Sequence, residues 1–191
     1  MQWIKIWRDN MKGQTGHLPH IVKDVTEKLK LNSDVALLDV GCGSGSLMEK
    51  LPARTRIGLD PSDTLRLSGV ARGLDIRKGV AWTLPFPDAS FDRVLFYSVI
   101  HYMTREQADM ALAEMKRVCK PGGWILVGDI GDVDTYRLGS IFYDLVREPA
   151  MSILNKTRAT YFPKKWFEKR GFAISVSANS NKRFDALFEK K

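Results

Sequence analysis

Gly41-Cys42-Gly43-Ser44-Gly45 stands directly after the apolar run Val35-Ala36-Leu37-Leu38-Asp39-Val40 and directly before a stretch that reads as helix. Glycine at such a junction lets the chain turn sharply and lets a ligand approach the backbone, whose unpaired amides at a helix start meet polar or anionic groups. The same glycines could serve a tight turn that binds nothing. Asp60 changes the balance. It ends the next run, Thr55-Arg56-Ile57-Gly58-Leu59-Asp60, where a doubly wound fold places an acid whose oxygens can accept both ribose hydroxyls. It could instead begin the following helix, although Ser62 or Asp63 would cap that helix equally well. Glycine loop and acid in register point to a nucleoside ligand. The dinucleotide pattern GxGxxG would need glycine at position 46, where this chain has Ser46.

His101, in Val99-Ile100-His101-Tyr102, is the best candidate for a general base, or else a structural histidine satisfied by backbone groups. Asp129 and Asp132 come next, in Gly128-Asp129-Ile130-Gly131-Asp132, because ligands of open α/β sheets bind where strands end; acids in such a stretch also shape turns. Cys42 and Cys119 are the two cysteines, with no CxxC and no Cys/His cluster. They supply neither a disulfide framework nor metal-ligand spacing, so no metal is expected and a reduced, cytoplasmic setting is.

The elements that must position these residues alternate. The runs at 35–40, 55–60, 93–97 and 124–128 read as strands. Ser46–Leu51, Asp63–Arg72 and Arg105–Cys119 read as helices between them, and Pro121-Gly122-Gly123 punctuates the last change. Such βαβα alternation predicts a mostly parallel sheet with helices on both faces. Residues 172–176 and 183–188 read as two closing strands, and the short polar link Ser177–Lys182 makes them antiparallel. From 131 to 162 the rhythm stops. Tyr136, Leu138, Ile141, Phe142, Leu145 and Val146 suggest a helical insertion over the substrate site, and 1–30 a helical N-terminal cap.

With 191 residues, 44% hydrophobic, the chain is expected to form one soluble domain with a sizeable core. No apolar stretch approaches the roughly 20 residues of a membrane span, and the first residues do not read as a signal peptide. The net charge of +8 is uneven: six basic and three acidic side chains in 1–30, thirteen and fifteen in 31–146, eleven and four in 147–191. Lys156, Arg158, Lys164, Lys165, Lys169 and Arg170 read either as a solvated face or as an attractor of an acidic partner such as nucleic acid.

Four blocks together resemble the class I S-adenosylmethionine-dependent methyltransferases, in particular those with a compact core that act on small molecules. They are residues 37–45, Gly58-Leu59-Asp60-Pro61-Ser62, Leu84-Pro85-Phe86-Pro87-Asp88-Ala89-Ser90-Phe91-Asp92, and residues 112–123, from Leu112-Ala113-Glu114 to Pro121-Gly122-Gly123. The resemblance covers about 34–130. It implies a seven-stranded Rossmann-like sheet of order 3-2-1-4-5-7-6, with the last strand antiparallel and S-adenosylmethionine as cofactor. Gly41, Cys42, Gly43 and Gly45 would form the loop beside its methionine part, with Asp39 beneath. Asp60 would hold the ribose, Pro61 would face the adenine, the Ala81 amide would reach an adenine nitrogen, and Ser98 would lie beside the amino acid moiety. Where the family often has an Asp for the adenine amino group, this chain has Val80, so adenine would be held by backbone and apolar contact.

The resemblance implies methyl transfer to a small or medium-sized metabolite. Three alternatives stay open: a cofactor-binding protein without catalysis, a nicotinamide-dependent oxidoreductase, and a nucleic-acid methyltransferase that uses the basic tail. The absence of an Asn-Pro-Pro-Tyr type signature counts against amino-group methylation of bases and glutamine. Acceptor, methylated atom and oligomeric state are not legible.

Overall fold

A computed structural model describes residues 18–132, 160–179 and 182–191. Most of the expected N-terminal cap and of the insertion, with Tyr136 to Val146, Lys156 and Arg158, lies outside the described residues.

The first apolar run forms β1 (Ala36–Val40), buried at every position. Successive side chains of a strand point to opposite faces. Leu38 and Val40 therefore enter one core with Phe96, Leu112 and Met115, while Leu37 enters another with Ile21, Val25, Leu29 and Leu126. A strand between two cores has to be apolar on both sides, which is why the run is continuous and not alternating. The second core is covered by α1 (Leu18–Lys28), whose buried residues Ile21 and Val25 are four apart, one helical turn.

The remaining strands are β2 (Thr55–Asp60), β3 (Asp75–Lys78), β4 (Phe91–Tyr97), β5 (Cys119–Gly131), β6 (Ala173–Val176) and β7 (Arg183–Glu189), with α2 (Asp63–Val70), α3 (Arg105–Val118) and α4 (Lys164–Glu168) among them. They form one sheet of order β3-β2-β1-β4-β5-β7-β6. The first five pair in parallel, and β7 runs antiparallel to both β5 and β6. This is the doubly wound, Rossmann-like architecture expected. Thr104 and Gln107 close a capping box at the start of α3, the sequence signature of a helix N-terminus.

Three local expectations need correction. Ser46–Leu51 is not a helix but holds a single 3-10 turn, Met48–Lys50; Pro52 follows at once and cannot continue a helix. The strand β3 was not among the apolar runs, because Asp75-Ile76-Arg77-Lys78 has one buried side chain, Ile76. The last parallel strand starts earlier than expected: Pro121-Gly122-Gly123 lies inside β5, accommodated by a slip of register between Phe91 and Arg93 on β4.

Two of the four sequence blocks meet at Arg117. Its Nη1 donates to the Phe86 carbonyl at 2.8 Å and to Asp88 Oδ1 at 2.7 Å, and its Nη2 to the Leu84 carbonyl at 3.1 Å and Glu114 Oε2 at 2.8 Å. Glu114 Oε2 also accepts the Leu84 amide at 2.8 Å. The resulting clamp fastens the loop between β3 and β4 to α3, and the two carboxylates raise the pKa of the guanidinium further. Arg117→Met should lower the unfolding free energy by about 1.5–3 kcal/mol, the range for hydrogen bonds to charged groups, read from the urea midpoint at unchanged m. A change below about 0.5 kcal/mol, that of an ordinary surface substitution, would show that the loop is held without the clamp.

Candidate functional site

The carboxyl ends of β1, β2 and β4 open into a cavity of about 500 Å³, within the range of small-molecule sites. The chain reaches it from β1 through Gly41, whose φ is +73°. A Cβ at Gly41 would lie 2.6 Å from the Val99 side chain, so both the turn and the packing require glycine there. The Gly41 amide bonds the Leu59 carbonyl at 2.7 Å, joining the loop to β2.

Asp60, 7% exposed, closes the same junction from the other side. Its Oδ2 accepts the Gly43 amide at 2.8 Å and its Oδ1 the Ser62 amide at 2.8 Å. Ser62, not Asp60, caps α2 through the Leu65 amide. Each Asp60 oxygen keeps a second lone pair for a hydroxyl. Burial raises its pKa, opposed by the two amides.

Asp39, at the floor of the cavity, is 3% exposed. Burial, and then the charge of Asp60, push its carboxyl up to about 8. Two carboxyl groups in a mostly apolar pocket form a poor site for an anion and a good one for a cation. The Cys42 thiol is pushed up by burial and by the same two acids, so it is an inert part of the wall.

Ser98 follows β4 with φ +60°, an uncommon conformation for a non-glycine residue, and its amide bonds the Gly128 carbonyl at 3.0 Å. His101 lies beyond it in the 3-10 turn Ile100–Tyr102, its ring centroid 4.1 Å from that of Tyr102. Burial first, and the Arg183 charge second, lower its pKa to about 4, against the opposing pull of Asp129. The imidazole is neutral at pH 7. It can accept a hydrogen bond but is a weaker proton acceptor than a histidine in water.

Asp39, Gly41, Cys42, Gly43, Asp60, Pro61, Val80, Ala81, Ser98 and His101 thus all line one cavity. Gly45 does not: with φ +77°, a Cβ there would lie 2.7 Å from Leu74, so this glycine serves packing beneath the loop. Asp129 and Asp132 are also off the wall. The pairing of β5 with β7 slips between Val127 and Ile130, Asp129 takes φ +60°, and its carboxylate holds Asn179 Nδ2 at 2.9 Å and Arg183 Nη1 at 2.7 Å. Asp132 pairs with Lys164 at 2.7 Å. Sequence reasoning missed Trp82, Tyr97, Tyr102, Met103 and Arg183 on the wall, together with Leu18 and Ile21 of α1.

Residues 38–127 match the family model described as Methyltransferase domain. Over that stretch, somewhat less than half of its length, the chain is similar to methyltransferases. A methyltransferase of Oceanobacillus iheyensis is 25% identical over 190 residues, covering 91% of this chain and 87% of its own. Shorter matches include the fatty-acid O-methyltransferase of Mycolicibacterium smegmatis, 39% identical over 102 residues, covering 49% of this chain and 36% of the relative. The tRNA (carboxymethyluridine(34)-5-O)-methyltransferase of Arabidopsis thaliana is 32% identical over 98 residues, covering 51% and 24%. This chain therefore aligns with only about a third and a quarter of those two proteins. Among solved structures of the same fold, a SAM-dependent methyltransferase of Thermotoga maritima superposes with a TM-score of 0.66 at 20% identity, covering 96% of this chain and 95% of that one. The methyltransferase family model thus spans the end of β1, the glycine loop, Asp60 and most of β5.

An unfolded histidine takes up its proton near pH 6.5, whereas His101 in the fold does so only near 4. The unfolded state therefore binds more protons in between, and this group costs the native state stability as pH falls from about 6.5 to 4. NMR of the imidazole should show the neutral ring down to about pH 5. A midpoint near the ordinary value would show that the site is wetter than its packing indicates.

Proposed function

We propose that the chain binds S-adenosylmethionine in this cavity and transfers its methyl group to a small or medium-sized organic acceptor. The observation that carries the reading is Asp60, buried and fixed by the Gly43 and Ser62 amides with a lone pair left on each oxygen, beside a cation-favouring floor at Asp39. The residues fit the cofactor. Asp60 would accept the ribose hydroxyls, Pro61, Val80 and Ala81 would flank the adenine, and the loop Gly41–Gly43 with Ser98 would face the methionine part over Asp39. The bound cofactor supplies a methyl group on an already activated sulfonium. What remains for the protein is to hold an acceptor in line and keep water out. Tyr97, Tyr102, Met103 and α1 supply the walls for this, and His101 offers a neutral hydrogen-bond acceptor.

A small acceptor is favoured by the cavity, whose only Lys or Arg among the described residues is Arg183, whereas a polyanion entering it would need several basic side chains. The tRNA methyltransferase relative and the basic tail favour a second reading, an RNA acceptor. Part of the tail is already neutralised: Lys164 pairs with Asp132, and Arg170 with Asp109 at 2.6 Å while stacking on Trp166. An RNA affinity that persists at physiological salt, with a log–log slope near −4 or steeper, would favour the second reading.

Calorimetry with S-adenosylhomocysteine should show binding by the native chain and a loss of about 1–3 kcal/mol in Asp60→Ala, the range for polar groups left unpaired. Equal affinity in the variant would remove Asp60 from the ribose site. The same titration carries a pH signature. Free Asp39 holds its proton up to about pH 8, and the ammonium group of the ligand favours the ionised form, so binding releases a proton. Affinity should rise with pH between about 6 and 8, by at most about tenfold per unit for a single linked proton, and Asp39→Asn should abolish that slope. A pH-independent affinity in the native chain would place the ammonium elsewhere.

A further inference from the structure

Arg183 is the only Lys or Arg on the cavity wall among the described residues, and the assignment of the cofactor gives it no task. It opens β7 opposite Gly131, at the carboxyl edge of β5. Three strand spacings separate it from Asp39 and four from Asp60, about 14 and 19 Å at the usual spacing of strands.

Its guanidinium is fixed from behind. Nη1 donates to the Asp129 carbonyl at 2.7 Å and pairs with Asp129 Oδ2 at 2.7 Å. Asp129 is 1% exposed, and Asp185 Oδ1 accepts its amide at 2.8 Å. Asp185 is in turn held by Lys28 of α1 at 2.6 Å. A chain of polar groups through β5, β7 and α1 thus anchors one nitrogen of the guanidinium. The Nε–H and Nη2–H edge has no hydrogen-bond partner among the described residues.

We propose that Arg183 binds a carboxylate of the methyl acceptor, and that the acceptor is a small organic acid with an apolar body. The inference rests on the methyltransferase reading and names the substrate class for it. A planar guanidinium with two parallel donors that no described residue engages matches a carboxylate in bidentate fashion, which a lysine could not do. The surrounding wall is apolar or aromatic, with Ile21 of α1, Tyr97, Val99 and Met103, and suits a hydrocarbon body. The charge layout orients such a molecule: the buried carboxyl of Asp60 disfavours its anionic group at the cofactor end, and Arg183 receives it at the other. Because Asp129 balances Arg183, the cavity carries no unpaired cation before the acid arrives.

The test uses the full chain saturated with S-adenosylhomocysteine and titrated calorimetrically with octanoate and with 3-phenylpropanoate, each against its primary amide, and with octyl phosphate. Each acid that binds should do so at least about tenfold more tightly than its amide, the effect of one charge-assisted pair. Arg183→Gln should bring acid and amide to equal affinity while leaving S-adenosylhomocysteine within about twofold of its native value. Arg183→Lys should keep a smaller preference for the acid, which guards against a folding defect in the glutamine variant. Equal affinity of acid and amide for the native chain, or no binding of either acid, overturns the proposal. A loss of about tenfold or more in S-adenosylhomocysteine affinity in Arg183→Gln overturns it in favour of a cofactor contact, and octyl phosphate binding about tenfold more tightly than octanoate overturns it in favour of a phosphate. Failure of S-adenosylhomocysteine to bind the native chain is a separate outcome, and defeats the methyltransferase reading itself.

Discussion

The site depends on one carboxylate. Asp60 joins two loops that leave different strands, accepting the Gly43 amide after β1 with one oxygen and the Ser62 amide after β2 with the other. Without an acceptor there, the buried Gly43 amide at the mouth of a parallel sheet would have no partner, at a cost of about 1–3 kcal/mol, and the half-buried Ser62 amide would lose its own. The demand comes from the topology: parallel strands all end at one edge, and the chain must turn away from each end without filling the space between. Glycine at position 41 keeps the backbone against Val99, Ser62 takes over the capping of α2, and Asp60 is left with a lone pair on each oxygen facing the crevice.

The acid end of the cavity has a second consequence. Burial first, and the charge of Asp60 second, disfavour ionisation of Asp39, so the floor carries a proton at neutral pH. A cationic ligand would stabilise the ionised floor and release the proton. The fold thus stores charge in a neutral form and exposes it to the ligand that can compensate it. This solves the problem of keeping a buried acid in a stable domain, since an isolated ionised carboxylate in apolar surroundings is far more costly than a protonated one.

Legibility in the sequence followed burial. Strands packed on both faces, such as Ala36–Val40 and Phe91–Tyr97, appear as apolar runs, and the ligand loop and Asp60 could be read because they follow such runs directly. The edge strand β3 has one buried residue and no run to read. The helix expected at Ser46–Leu51 was misjudged because the glycine loop and Pro52 leave room for only one turn. Asp129 looked like a site residue from its place at a strand end. The slip between β5 and β7, which fixes its carboxylate on Asn179 and Arg183, arises from the pairing of distant segments and has no local signature. Arg183 had a weak one: the first residue of a strand antiparallel to β5 must lie at the carboxyl edge of β5, where ligands bind.

The distribution of ionisable groups along the cavity also limits what the protein can do to an acceptor. At the cofactor end, Asp39 is protonated until a cationic ligand compensates it, and Asp60 is committed to two amides. In the middle, His101 is neutral, and its weak basicity follows from burial and from the cation of Arg183 beside it. At the far end, Arg183 donates hydrogen bonds and accepts none. Apart from Asp39 at the cofactor end, no group on the described wall is therefore poised near pH 7 to remove a proton from a weakly acidic acceptor. An acceptor whose nucleophilic atom is already unprotonated at neutral pH needs no such help. For it, the remaining requirement is alignment with the methyl group in a pocket closed to water, and that is a task for packing, which Tyr97, Val99, Met103 and α1 can perform without moving a proton.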